Sequence, residues 1–124
     1  MNELIKKVEA WGEEKGIMDP SNAPKQFMKF MEEVFEFKTE MDILTRYRKY
    51  YKENPQKKIP KAEHDRITNK AMLEMGDVFV TLVILCKQLE ISPVECLEKA
   101  YEKIKDRKGK TIDGIFVKEE DLVK

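Results

Sequence analysis

Residues 78–86 read VFVTLVILC, the longest nearly apolar run of the chain. EMGD precedes the run at residues 74–77, and KQ follows it, so polar positions bound it on both sides. A membrane-spanning helix needs roughly 20 apolar residues, about twice the length of this run. Because apolar side chains on nearly every face of a helix need cover on every side, the run predicts a buried central helix over about residues 61–89.

Apolar residues recur at helical spacing in three further segments. The first covers residues 2–15 and ends at Gly16. The second begins at Ser21-Asn22-Ala23-Pro24, where a cap residue and an early proline favour a helix start. The third begins at Ser92-Pro93 and is expected to end at Lys108-Gly109-Lys110. With the central helix, these segments predict an all-α, four-helix fold.

Two segments carry turn and loop signals. Residues 46–66 are basic and aromatic and contain Asn54-Pro55 and Pro60, which predicts a fraying helix end and then an exposed inter-helix connection. The tail, residues 111–124, contains Asp113-Gly114 followed by three apolar residues, which predicts a turn and a short extended segment. A length of 124 residues fits one domain, so we expect a single domain over residues 1–124.

Charge and composition exclude several classes of protein. Lys and Arg total 24, and Asp and Glu total 24, so the formal net charge is zero and no overall field attracts the chain to nucleic acid or to an anionic membrane. Cys86, Cys96 and His64 are too few for a disulfide scaffold or an ordinary Cys/His zinc site. Charges at residues 3, 6, 7 and 9 interrupt any export signal, so we expect a cytoplasmic protein.

Four helices in a chain of this length cover an apolar central helix only thinly. Association of identical chains would bury the remaining apolar faces, so the sequence predicts a homodimer or a homotetramer. A long connection that folds back over residues 78–86 would provide the same cover, and this alternative stays open at this point.

Five carboxylates stand at helical spacing on two of the predicted helices: Glu32, Glu33, Glu36, Glu74 and Asp77. Residues three or four apart lie on neighbouring turns, so Glu33 with Glu36, and Glu74 with Asp77, can each act as a two-point ligand. At an effective dielectric constant of about 20, two such charges roughly 5 Å apart repel each other by about 3 kcal/mol, which a bound cation relieves. Because all the candidate ligands are oxygens, the pattern favours Mg²⁺, with Mn²⁺ as a substitute.

A solvated helix face is the alternative interpretation of these acids. The chain contains 24 acidic residues, so some must fall at helical spacing by chance. Lys70, Glu74, Asp77, Thr81 and Gln88 also follow one stripe of the third helix, which its solvent-facing side would equally produce. The surrounding residues favour a metal site, because Asp77 directly precedes the apolar run. A carboxylate beside buried apolar surface destabilises the fold unless it has a partner.

The two acidic motifs are Glu32-Glu33-Val34-Phe35-Glu36 and Glu74-Met75-Gly76-Asp77. Together they resemble the motifs of the MazG-like all-α nucleoside triphosphate pyrophosphohydrolases, which include the dimeric dUTPases and related dCTP hydrolases. The resemblance covers most of the chain and extends to residues around the motifs: Trp11, Gly16, Gln26, Lys29, Lys103 and Arg107. It implies a MazG-like helical bundle that uses Mg²⁺ to split a nucleoside triphosphate between its α- and β-phosphates. The implied role is house-cleaning of the nucleotide pool.

The resemblance also implies roles for individual residues. Metal ligation falls to Glu33, Glu36, Glu74 and Asp77, and a catalytic role falls to Glu32 and Glu36. Glu32 either holds a ligand or activates the attacking water.

Substrate contacts are expected from the basic, aromatic and amide residues around the motifs. Lys29, Lys103 and Arg107 match the charge of the phosphates. Trp11 is expected to stack on the base and Gln26 to bind its polar edge, although a lone Trp on an amphipathic helix also suits a core position.

The sequence also supports an alternative function that is not enzymatic. In this alternative, the chain is a helical interaction module whose acidic stripe faces solvent. The basic, aromatic stretch Arg46-Tyr47-Arg48-Lys49-Tyr50-Tyr51-Lys52 then binds a protein or a nucleic acid.

Overall fold

The computed structural model describes residues 2–122, and helices predominate in it. The prediction of a helical fold is confirmed in this coarse sense, whereas a four-helix MazG-like bundle stays a prediction. The chain divides into two compact units, the first ending at Glu90 and the second beginning at Ile91. None of the helices within residues 2–122 combines the length and the apolar character that crossing a membrane requires.

The first helix, α1, covers Asn2–Glu14 and ends where the sequence predicts. Gly16 adopts φ +70°, a left-handed conformation that glycine tolerates without strain. A short 3₁₀ helix, Pro20–Asn22, follows. Asp19 caps it, because its side chain accepts a hydrogen bond from the backbone N–H of Ser21 at 2.8 Å. The predicted first helix and its stop signals are therefore confirmed.

Two long antiparallel helices form the body of the first unit: α2 covers Ala23–Glu53, and α3 covers Lys61–Gln88. Contacts between them run in opposite sequence directions: Gln26 with Thr81, Glu40 with Lys70, and Tyr47 with His64. The predicted starts of both helices, and the end of α3 near residue 89, are confirmed.

The connection between α2 and α3 comprises only residues 54–60. The expectation of an exposed connection over residues 46–66 is therefore wrong for residues 46–53, which belong to α2, and for residues 61–66, which belong to α3. The ring centroids of Tyr47 and Tyr51 lie 5.0 Å apart, and those of Tyr47 and His64 lie 6.0 Å apart. The first contact lies within α2 and the second joins α2 to α3. Together they support turns whose composition, taken alone, indicates fraying.

Most buried apolar side chains of the first unit lie on α3, namely Ile67, Ala71, Val83, Ile84 and Cys86. Yet Phe79 is 54% exposed and Leu82 is 37% exposed, so the described residues cover only part of the central helix. The connection does not supply the missing cover. At about 1.5 Å per residue, the apolar run begins roughly 25 Å along α3 from the end of the connection.

The predicted polar stripe of α3 is not uniformly solvated. Thr81 and Gln88 are buried, at 6% and 1% exposure. The Thr81 hydroxyl donates to the Val78 carbonyl at 2.8 Å, and Gln88 Nε2 donates to the Ile17 carbonyl at 2.8 Å. The second bond joins α3 to the segment after α1. A wholly solvated stripe is therefore wrong for its second half.

The second unit begins with a helix, α4, which covers Pro93–Ile104. Its predicted cap is confirmed, because the Ser92 hydroxyl accepts a hydrogen bond from the backbone N–H of Glu95 at 3.2 Å. The helix ends at Ile104, earlier than the expected stop at Lys108-Gly109-Lys110, because the chain at Gly109 already begins a strand.

A small antiparallel hairpin follows α4, with β1 at Gly109–Ile112 and β2 at Ile115–Lys118. Asp113 and Gly114 both adopt positive φ, 51° and 78°, which suits a two-residue hairpin turn. The predicted turn and extended segment are confirmed. A short helix, α5, covers Glu119–Leu122 and was not predicted.

Candidate metal centre

Three glutamates from α2 and α3 form what we call the carboxylate cluster. One oxygen from each of Glu33, Glu36 and Glu74 lies within 4.8 Å of the other two. Glu33 and Glu36 stand one turn apart on α2. Glu74 approaches them from α3, which packs along α2. Residues from both acidic motifs therefore share one place in the fold.

The carboxylate cluster is partly withdrawn from solvent. Glu33 is 8% exposed, Glu74 is half-buried and Glu36 is exposed. Glu33 Oε2 and Glu74 Oε2 are buried and have no hydrogen-bond partner within residues 2–122. A buried carboxylate oxygen without a partner destabilises a fold, and a bound cation would remove this penalty.

One cation of the chain already contacts these acids. Lys29 Nζ lies 3.1 Å from Glu33 Oε1 and 3.6 Å from Glu32 Oε2. The Glu33 carboxylate raises the pKa of Lys29, so its ammonium group stays protonated at neutral pH. A single positive charge leaves most of the negative charge of the carboxylate cluster uncompensated.

Repulsion from neighbouring carboxylates raises the pKa of Glu36, chiefly through Glu33 and more weakly through Glu32, which lies outside the cluster, and Glu74. The folded chain then binds this proton more tightly than the unfolded chain does. The repulsion destabilises the fold at neutral pH, and it is relieved as the pH falls through the raised pKa towards the ordinary value. A bound cation would relieve the same repulsion at neutral pH.

The chain was compared with known proteins. Comparisons with family models, with curated proteins and with solved structures find no match. The resemblance to the MazG-like pyrophosphohydrolases therefore rests on the two acidic motifs and the residues quoted around them.

The other two predicted carboxylates, Asp77 and Glu32, are not part of the cluster. Asp77 follows Glu74 by three residues on α3, is exposed, and is not among the three acids whose oxygens converge. The Glu32 side chain is 58% exposed and lies against Lys29. The structure thus groups three of the four expected metal ligands, and ligation by Asp77 stays a prediction.

The predicted substrate-binding residues lie in different parts of the chain, and their contacts differ. Lys29 is the one among them for which the structure shows an ion pair with an acidic motif. Trp11 is 47% exposed on α1, and α1 packs against α3. Gln26 Nε2 donates to the Thr81 carbonyl at 3.2 Å, so this amide links α2 to α3. Lys103, which is exposed, and Arg107, which is half-buried, belong to the second unit.

One charged contact beside the cluster is not predicted by the motifs. Lys70 Nζ lies 3.6 Å from Glu40 Oε1, and the Glu40 side chain is only 13% exposed. Glu40 follows Glu36 by four residues, and Lys70 precedes Glu74 by four residues. Spacing by four residues on both helices is the signal that places this pair on the faces that carry the cluster.

Proposed function

We propose that this protein is a Mg²⁺-dependent nucleoside triphosphate pyrophosphohydrolase. It converts an ordinary or modified (deoxy)nucleoside triphosphate and water into the monophosphate and pyrophosphate, in nucleotide-pool house-cleaning. The observation that carries the proposal is a pair of buried oxygens, Glu33 Oε2 and Glu74 Oε2, that have no partner among residues 2–122, in a cluster whose carboxylates approach within 4.8 Å. The MazG-like motifs supply the class of reaction.

The donor set of the cluster suits a hard divalent cation. All three residues offer carboxylate oxygens, which Mg²⁺ prefers and which Mn²⁺ also accepts. Glu33, Glu36 and Glu74 would hold the ion, with Asp77 as the fourth predicted ligand. When bound, Mg²⁺ neutralises charge on the triphosphate and polarises the phosphoryl group that water attacks.

Residues of the chain account for the rest of the chemistry. Glu32, exposed beside the cluster, takes a proton from water as the water oxygen bonds to the α-phosphorus. The bond from the α-phosphorus to the bridging oxygen breaks, and pyrophosphate leaves. Lys29 exchanges its contact with Glu33 for a phosphate oxygen. Trp11 stacks on the base, and Gln26 contributes its amide oxygen. Substrate contact by Lys103 and Arg107 stays a prediction of the resemblance.

We also propose that the protein works as a homodimer or homotetramer. Large apolar side chains are exposed on both long helices: Phe35 at 63%, Met72 at 66%, Leu73 at 63% and Phe79 at 54%. Association of identical chains would bury them. We expect sedimentation velocity of the full chain to show a species of two or four times 14.7 kDa. A species of 14.7 kDa alone, at micromolar concentration, would contradict this assembly.

The direct test combines product analysis with thermal melting. A panel of ordinary and modified nucleoside triphosphates is incubated with the protein and Mg²⁺, and we expect equal amounts of monophosphate and pyrophosphate from at least one of them. We also expect the melting temperature to be several degrees higher in Mg²⁺ than in EDTA, because the ion binds the folded chain and not the unfolded one.

Two outcomes would contradict the proposal. One is release of inorganic phosphate without pyrophosphate, which indicates cleavage at a different bond. The other is neither turnover nor a Mg²⁺-dependent melting shift, which favours the interaction module.

In that module the rings of residues 46–52 would be the binding groups, but Tyr47 already packs on Tyr51 and His64. This packing leaves fewer ring faces for a partner, which favours the enzyme.

A further inference from the structure

An open groove of about 560 Å³ lies between α2 and α3, nearer to the connection than the carboxylate cluster is. Its charged lining consists of three basic and two acidic side chains: Arg46, Arg66, Lys70, Glu40 and Glu63. Basic groups therefore exceed acidic ones in this groove, whereas acidic groups dominate the cluster.

The charges within the groove are unevenly paired. Lys70 is paired with Glu40 at 3.6 Å, so the remaining charges of the lining are those of Arg46, Arg66 and Glu63. Arg46 Nε donates to the backbone carbonyl of Asp42 at 3.3 Å. Within residues 2–122, neither guanidinium group lies within ion-pair distance of a carboxylate. Two arginines with unused donors thus line one groove.

Tyr47 adds a neutral donor to the same lining. Its hydroxyl oxygen is buried and has no hydrogen-bond partner within the described part of the chain. Partial burial, together with the Glu63 carboxylate, raises the pKa of Tyr47, so the hydroxyl keeps its proton at neutral pH. Ile43 and Ile67 complete the lining with apolar surface.

We propose that this groove binds a small organic phosphate, with Arg46 and Arg66 contacting the phosphate group and the Tyr47 hydroxyl donating to it. The planar guanidinium group matches the spacing of phosphate oxygens and stays charged at every physiological pH. The groove has the volume of a small-molecule site and exceeds what a phosphate group alone fills. The organic part of the ligand packs against Ile43 and Ile67. Binding in this groove needs no metal ion, so it is tested separately from the proposed hydrolase.

Binding is measured by calorimetry on the full chain at low ionic strength in EDTA. Without a divalent cation the carboxylate cluster repels anions, so binding reports on the groove. The probes are adenosine 5′-monophosphate, ribose 5-phosphate and adenosine. We expect saturable binding of at least one phosphate and none of adenosine. Arg46→Gln and Arg66→Gln are each expected to weaken binding at least about tenfold, as loss of a charge-assisted hydrogen bond does.

Arg48→Gln is the matched control, because Arg48 lies on α2, is exposed and does not line the groove. We expect it to leave binding unchanged. Tighter binding of the adenosine phosphate identifies a nucleotide site, and equal or tighter binding of ribose 5-phosphate identifies a sugar-phosphate site; both support the proposal. Three results would overturn it: no saturable binding of either phosphate, equal binding of adenosine, or equal losses in Arg46→Gln and Arg48→Gln. None of them bears on pyrophosphate release with Mg²⁺.

Discussion

Glu33→Gln is expected to lower the kcat/KM for Mg²⁺-dependent pyrophosphate release by at least about 100-fold. The substitution removes a proposed metal ligand, and loss of a residue that merely supports a metal ligand already lowers metal affinity or activity by about 10- to 100-fold. Glu33 is 8% exposed, and its Oε2 is buried with no hydrogen-bond partner in the described part of the chain. The amide keeps the shape of the side chain but removes the negative charge that holds a cation. The rate is measured with the best substrate of the nucleotide panel, and the melting shift with Mg²⁺ is expected to shrink in parallel.

Glu53→Gln provides the matched control for this change. It makes the same chemical substitution on the same helix, at a side chain that is 61% exposed and lies 3.9 Å from Lys49. We expect wild-type activity and a wild-type Mg²⁺ shift, because surface ion pairs contribute little. Circular dichroism checks that both variants are folded. Wild-type turnover by folded Glu33→Gln would show that the carboxylate cluster does not hold the catalytic ion.

Gln88→Ala is expected to lower the free energy of unfolding by about 2–3 kcal/mol. Gln88 is 1% exposed, and its Nε2 donates to the Ile17 carbonyl at 2.8 Å. The substitution leaves this carbonyl unpaired and opens a cavity where α3 meets the segment after α1. Urea unfolding followed by circular dichroism measures the change.

Gln56→Ala is the control, because Gln56 lies exposed in the connection between α2 and α3. Its unfolding midpoint is expected to match that of the wild type. A cost below about 0.5 kcal/mol for Gln88→Ala, the range of ordinary surface substitutions, would mean that this bond does not join the two parts of the first unit.

Helix starts and stops were predictable because they depend on neighbouring residues. Gly16 takes the left-handed conformation that glycine favours, and Ser92 caps α4. The Asp113-Gly114 turn likewise needs only local chemistry. The helical structure of residues 46–53 was not predictable in this way, because it is supported by the packing of Tyr47 on α2 against His64 on α3. Contact with a distant segment overrides weak local signals.

The candidate site was only partly predictable for a related reason. The spacing predicts that Glu33, Glu36 and Glu74 converge, and the structure brings their carboxylates together, since each motif occupies one helix face. The same spacing gave Asp77 equal weight, yet Asp77 is exposed and stands outside the cluster. The sequence also contains no sign that the Gln26 amide donates to the Thr81 carbonyl of α3, and base contact by Gln26 stays a prediction.

Local pattern alone decides that this chain is mainly helical and that its acids fall in two short motifs, because capping, glycine conformation and helical period act over a few residues. The packing of α2 against α3 decides which of those acids meet, which of their oxygens are buried, and that Arg46 and Arg66 line one groove. Distances between residues far apart in the chain depend on the register of two long helices, and side chains across the whole interface set that register.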